Sequence, residues 1–234
     1  MKKLFIFIAA VVFLGCVFFG YKAASNLFAE RAQNQNNIIE TPQTSLVQSN
    51  YLLVLVNDLS ADKPQLISLW GVLNYPSVPP QVVFLPLFPT TSAEFNREIS
   101  SVFDLSNSKQ ISARSIRKME QIVDLTFDGY FIADNSALLR FAAYANLEKL
   151  EVFNGPAESS DSIIAVQDNI NSFFTALCQL CKTGASNSFF SQIEWSQLLP
   201  DHFSTDLSFE ELMLMIDRIN ISAALTTCEV LSSQ

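Results

Sequence analysis

Asn50-Tyr51-Leu52-Leu53-Val54-Leu55-Val56-Asn57-Asp58 is the stretch that decides the fold. Its apolar run is short, unbroken and ended by two polar residues, so it reads as a strand buried on both faces. Working outward, Leu66 to Leu73 and Gln81 to Leu85 are two more strand-like runs. Between them, Asn74-Tyr75-Pro76-Ser77-Val78-Pro79-Pro80 cannot continue a ladder, which predicts a hairpin with an irregular loop.

Beyond the hairpin the period changes from strand to helix. Thr91 and Glu94 form a candidate capping box ahead of Phe95, Ile99 and Val102. Ile116, Met119 and Val123 mark a second helix, with Arg114, Arg117 and Lys118 turned away from that stripe. Tyr130 to Ala133 is another buried strand, and Asp134 is placed to cap a helix bearing Leu138, Phe141, Ala142 and Ala145. Leu150 to Phe153 reads as a weaker strand, stopped by Asn154-Gly155-Pro156. Ile170, Phe173, Phe174, Leu177, Cys178 and Cys181 then recur at helical spacing, with Gly184 as the stop. Ser208 with Glu211 opens a last helix through a capping box, stapled by Leu207 and Leu212. The pattern predicts a single α/β/α domain, a mixed central sheet flanked by helices on both sides.

The chain has 234 residues, 49% hydrophobic and 16% charged, including 20 Phe, which excludes a disordered chain. Six Gly against nine Pro exclude a collagen-like repeat. The net charge is −9; setting aside Lys2, Lys3 and Lys22 leaves 11 basic against 23 acidic residues, or −12. Such a surface repels polyphosphate, so no nucleic-acid partner is expected.

Met1-Lys2-Lys3 precedes an uncharged run of 18 residues, Leu4 to Tyr21. As a helix it would span about 27 Å, close to a hydrocarbon core of roughly 30 Å. Residues 1–22 therefore read as a transmembrane signal anchor meeting the membrane through residues 4–21. The flanking lysines are placed in the cytoplasm and the rest of the chain outside it. Two alternatives stand beside this: signal cleavage at Ala23-Ala24-Ser25, and lipid attachment at Cys16. Residues 23–50 form a polar linker, 51–228 the extracytoplasmic domain and 229–234 a tail.

Candidate chemistry is sparse. Cys178-Gln179-Leu180-Cys181 sits at the end of a helix, whereas a redox pair needs the helix start to lower its thiol pKa. In an exported domain a structural disulfide to Cys228 is the better use, with Cys181 favoured by its place near the helix end and Cys178 the alternative. Buried thiols, or a redox or metal role, remain open. The single histidine, His202, lies in a loop and reads as a loop anchor; as a general base it lacks a nucleophile elbow. Asp58, Asp62, Asp124, Asp128 and Asp134 lie near strand ends, where α/β sheets gather ligands, and Asp58 ends the central strand. Arg114, Arg117, Lys118 and Arg140 are the one appreciable basic group, a phosphate site or a solvated face. No metal site or resident cofactor is expected.

The order of these segments resembles the LytR–CpsA–Psr family of bacterial cell-envelope attachment proteins, over roughly Asn50 to Ile219. Asn50 to Asp58 looks like its opening strand, and Gln81-Val82-Val83-Phe84-Leu85-Pro86 like the strand that runs into an Ile-Pro-Arg-Asp motif. Phe127-Asp128-Gly129-Tyr130-Phe131-Ile132 resembles its Ile-Asp-x-Tyr-Val strand, and Thr205-Asp206-Leu207 matches the run before its last helix. The resemblance implies a short membrane anchor and an outer α/β/α domain. It also implies transfer of glycopolymer from polyprenyl pyrophosphate, with arginines on the phosphates and acids on a divalent metal. The departures oppose that activity. Leu87-Phe88 replaces the motif's Arg-Asp, Pro64-Gln65 stands where an Asp-Thr opens the second strand, and Pro156 to Asp161 replaces an arginine-rich loop. Asp58 alone matches an acidic position. The expectation is a non-catalytic binder of an envelope component, either a polyprenyl-linked intermediate or an envelope protein. An apolar cleft under Val54–Val56 and Val82–Leu85 would hold a lipid chain. The alternatives are a divergent phosphotransferase using Asp58 with Arg114 and Arg117, and Mg or Mn, or a structural exported domain unrelated to that family.

Overall fold

The computed structural model describes residues 48–231 except 78–79, 146, 148–149, 154, 158, 184–191, 213 and 215–226. The anchor at 1–22 and nearly all of the linker lie outside the described residues, as do the Gly184 stop and the body of the last helix. Among the described residues no helix is long and apolar enough to cross a membrane.

The apolar run forms β1 (Ser49–Val56), starting two residues before the expected boundary. It pairs antiparallel with β2 (Leu66–Tyr75), which pairs antiparallel with β3 (Gln81–Phe88). The hairpin is as expected, and β3 runs three residues past Leu85. Two helices, α1 (Ala93–Val102) and α2 (Ala113–Val123), carry the chain to β4 (Gly129–Asp134), which lies parallel to β1. Helices α3 (Asn135–Tyr144) and α4 (Ser160–Lys182) follow. Short edge strands β5 (Phe203–Thr205) and β6 (Thr227–Val230) complete a mixed sheet of order β5-β4-β1-β2-β3-β6. β6 crosses position 228, so Glu229 and Val230 belong to the sheet and not to a tail.

Side chains alternate across β1 and define two cores. Leu52, Val54 and Val56 face Ile99 of α1 and Met119 of α2. Leu55 faces the opposite side, where Trp70, Phe131, Phe173 and Phe174 pack with α3 and α4. Phe84 stacks on Phe174 at 4.3 Å, and the Trp70 ring meets Phe174 edge-on at 4.8 Å. This is the expected α/β/α arrangement.

Three local expectations shift. The cap of α1 is Ser92, one residue after the expected Thr91: its Oγ accepts from Phe95 N at 3.3 Å, while Asn96 holds Thr90 just ahead of it, Oδ1 accepting from Thr90 N at 2.8 Å. Leu150 to Phe153 is not a strand. Its backbone is satisfied by asparagine side chains instead of a ladder. Asn169 bonds both polar groups of Glu151, at 3.2 and 2.8 Å, and Asn135 Nδ2 donates to Phe153 O at 2.7 Å. The disulfide joins Cys178, not the favoured Cys181, to Cys228. Cys178 lies on the buried stripe of α4 against Val82, while Cys181, three residues and nearly a turn later, swings to the flank.

Candidate functional site

The ends of parallel strands β1 and β4 lie side by side, the place where open α/β sheets bind ligands. Asp58 leaves β1 exposed, and its Oδ1 accepts from Ser60 N at 2.8 Å, closing a tight turn. That turn tucks Leu59 fully into the core and points its N–H at Asp134 Oδ2, 3.3 Å away.

Asp134 is the last residue of β4 and the cap of α3, as expected, with Oδ1 accepting from Ala137 N at 2.9 Å. It has a second task that spacing could not show. Its Oδ2 lies 2.8 Å from His202 Nδ1, with the Asp134 side chain 1% exposed and the His202 side chain 29%. Backbone bonds fix the histidine as well: Asp134 N donates to His202 O at 3.1 Å, and His202 N to Leu198 O at 2.8 Å. Beside it, Ser60 Oγ donates to Asp201 O at 3.3 Å, and Lys109 Nζ approaches Asp201 Oδ1 at 3.5 Å. Asp58, Asp134 and Asp201 against Lys109 make this end of the sheet acidic.

The arginines expected beside Asp58 are elsewhere in their bonding. Arg114 and Arg117 lie on the exposed side of α2, with Arg117 Nε donating to Ala113 O at 3.2 Å. Among the described residues neither makes a hydrogen bond or ion pair with Asp58. No group of three or more His, Cys, Asp or Glu among the described residues is arranged to hold a metal ion. Gln65, at the Asp-Thr position of the resembled family, instead closes the β1–β2 turn. Its N donates to Asn57 Oδ1 at 2.8 Å, and its O accepts from Asn57 N at 3.0 Å.

Leu87 and Phe88 are buried, 9% and 2% exposed, in the core beneath α1 and α2. Phe88 O accepts from the buried Ser68 Oγ at 2.8 Å, which in turn accepts from Trp70 Nε1 at 2.8 Å. The strand faces expected to border a lipid cleft are filled by the chain itself: Phe84 lies against Phe174, and Val82 against the Cys178–Cys228 bridge. Thr205-Asp206-Leu207 proves to be a clasp on the start of β4. Thr205 Oγ1 donates to Tyr130 O and Asp206 Oδ1 accepts from Tyr130 N, both at 2.7 Å.

No family model and no curated protein sequence matches the chain. Among solved structures the fold is distantly similar to LytR–CpsA–Psr-type proteins. TagT bound to LIIa-WTA is 8% identical with a TM-score of 0.49, over 83% of this chain and 82% of that one. B. subtilis TagV is 11% identical with a TM-score of 0.47, over 80% and 86%. A transcriptional regulator from Enterococcus faecalis is 10% identical with a TM-score of 0.47, over 80% and 76%. At these identities and TM-scores the likeness carries nothing about chemistry, which rests on the residues above.

Proposed function

We propose that the chain is a membrane-anchored, extracytoplasmic domain of LytR–CpsA–Psr-like type. It binds a cell-envelope component, a lipid-linked intermediate or a partner protein, and does not transfer phosphoryl-linked glycopolymer. The observation that supports this is the burial of Leu87 and Phe88. Where the resemblance calls for an arginine and an acid facing phosphate, two apolar side chains are packed into the core. Charge neutralisation is most of what an enzyme supplies to pyrophosphate chemistry, and removing one preorganised donor commonly costs about 100–1,000-fold in rate. The acidic end of the sheet adds repulsion toward a polyanionic head group. With the strand faces filled, a ligand is met at the surface.

The test incubates the purified outer domain with polyprenyl pyrophosphate and magnesium or manganese, following phosphate release and lipid binding together. Saturable binding without turnover fits the proposal. Turnover abolished by Asp58→Ala restores the phosphotransferase reading, and absence of both leaves a protein as the bound component. The anchor is tested separately on membranes. A mature protein starting near Asn26, or lipid on Cys16, overturns it.

A further inference from the structure

The Asp134–His202 pair does more than cap a helix. Capping uses Oδ1, which takes Ala137 N; Oδ2 is left for the imidazole and for Leu59 N. An ionised carboxylate only accepts hydrogen bonds, so Nδ1 must carry the proton toward Asp134. In the neutral ring this leaves the lone pair on Nε2, on the side of the ring away from the buried carboxylate. The backbone of His202 is bonded at both N and O, and the Nδ1 contact to Asp134 Oδ2 orients the ring. A buried carboxylate, an imidazole held in one tautomer and partial solvent access are what proton transfer by histidine requires.

The surroundings select the substrate. Asp58 and Asp201 lie on the neighbouring turns, with Lys109 engaged by Asp201, so an anionic phosphate ester is disfavoured. A neutral acyl ester is not. The start of α3 is already capped by the Asp134 carboxylate, so charge developing on the carbonyl oxygen is offset by the imidazolium formed at His202.

We propose that Asp134 and His202 are a proton-transfer pair for hydrolysis of acyl esters over the ends of β1 and β4. His202 Nε2 takes a proton from water as the water oxygen bonds to the carbonyl carbon. The tetrahedral oxyanion then collapses, the carbon–alkoxide bond breaks, and Nε2 returns the proton to the leaving alkoxide. Ester and water become carboxylic acid and alcohol, with His202 catalytic and Asp134 positioning. This goes beyond the binding reading and does not depend on a polyprenyl carrier.

Because His202 is the single histidine in the chain, histidine-selective ¹⁵N labelling reports its ring without ambiguity. The neutral ring is expected with its proton on Nδ1; a proton on Nε2 overturns the proposal without any variant. Hydrolysis of p-nitrophenyl acetate is then measured in a Cys181→Ser background, which removes the free thiol. His202→Gln is expected to lower the rate above buffer at least tenfold. Asp134→Asn keeps a capping side chain and is expected to move the ring proton to Nε2 while lowering kcat more than it raises KM. Equal rates in parent and His202→Gln overturn the proposal.

Discussion

Cysteine placement shows how finely a single residue's angle on a helix matters. Cys178 and Cys181 are three positions apart, and the structure spends only the first on Cys228, across a separation of 50 residues. Cys178→Ser or Cys228→Ser is therefore expected to cost about 2–4 kcal/mol in denaturant unfolding, and Cys181→Ser far less. Burial pushes the Cys181 thiol up to about 11, so little thiolate exists near neutrality. Its alkylation in the native protein is expected to be slow at pH 8 and to speed up on denaturation. Three free thiols among Cys178, Cys181 and Cys228 in the unreduced chain contradict the pairing, and fast native labelling contradicts the burial of Cys181. Gly129 is constrained from outside: a Cβ there would stand 2.8 Å from Leu207 Cδ2 and 3.1 Å from Asp206 Oδ1. In Gly129→Ala the Leu207 side-chain end and the Asp206 carboxylate must give way, an overpacking cost of about 1 kcal/mol readable as a lowered denaturation midpoint.

Elements were legible where their own residues close their own bonds. Strands β1 to β4 and helices α1 to α4 announce themselves by period, and Asp134 and Ser208 cap as expected, whereas α1 is capped at Ser92 and not Thr91, and α4 begins ten residues before Ile170. Legibility failed where distant side chains took over the backbone, as Asn135 and Asn169 do at Leu150 to Phe153. The same holds for the site. Asp134 reads as a cap and His202 as a loop residue, and nothing in the chain couples positions 68 apart until β4 and β5 are paired. Helix α4 starts at a reciprocal Ser159–Ser162 box, and Ser159→Ala is expected to cost about 1 kcal/mol. At the last helix, Ser208's hydroxyl and then its backbone N–H lower the Glu211 carboxyl. A lowered folded value means that its support is present above the unfolded value and lost as pH falls through the folded one. In a pH series from 6 to 3, Ser208→Ala should narrow the difference from the parent as acid is added; a constant difference contradicts this.

At the scale of the whole molecule, one sheet divides two cores, and Leu87 and Phe88 belong to the one beneath α1 and α2. Placing a charge at β3 tests this: Phe88→Asp puts a carboxylate in the core beneath α1 and α2, where an unpaired buried charge costs about 3–5 kcal/mol. The variant is expected to lose folded protein and gain no transferase activity. A stable, active variant would mean that the position faces a ligand after all.

The sheet also has an order of completion. β3 has β2 on one side and receives β6 on the other, parallel, through Val82 opposite Cys228. Until residues 227–230 have been synthesised and have paired, that side of β3 is an open hydrogen-bonding edge of the kind other chains can join. Its eventual partner is four residues long, too short to hold by its own ladder. The bridge to α4 is thus a latch on the seam: oxidation seals the sheet against its neighbours, and a reducing environment leaves the same sequence with a sticky flank.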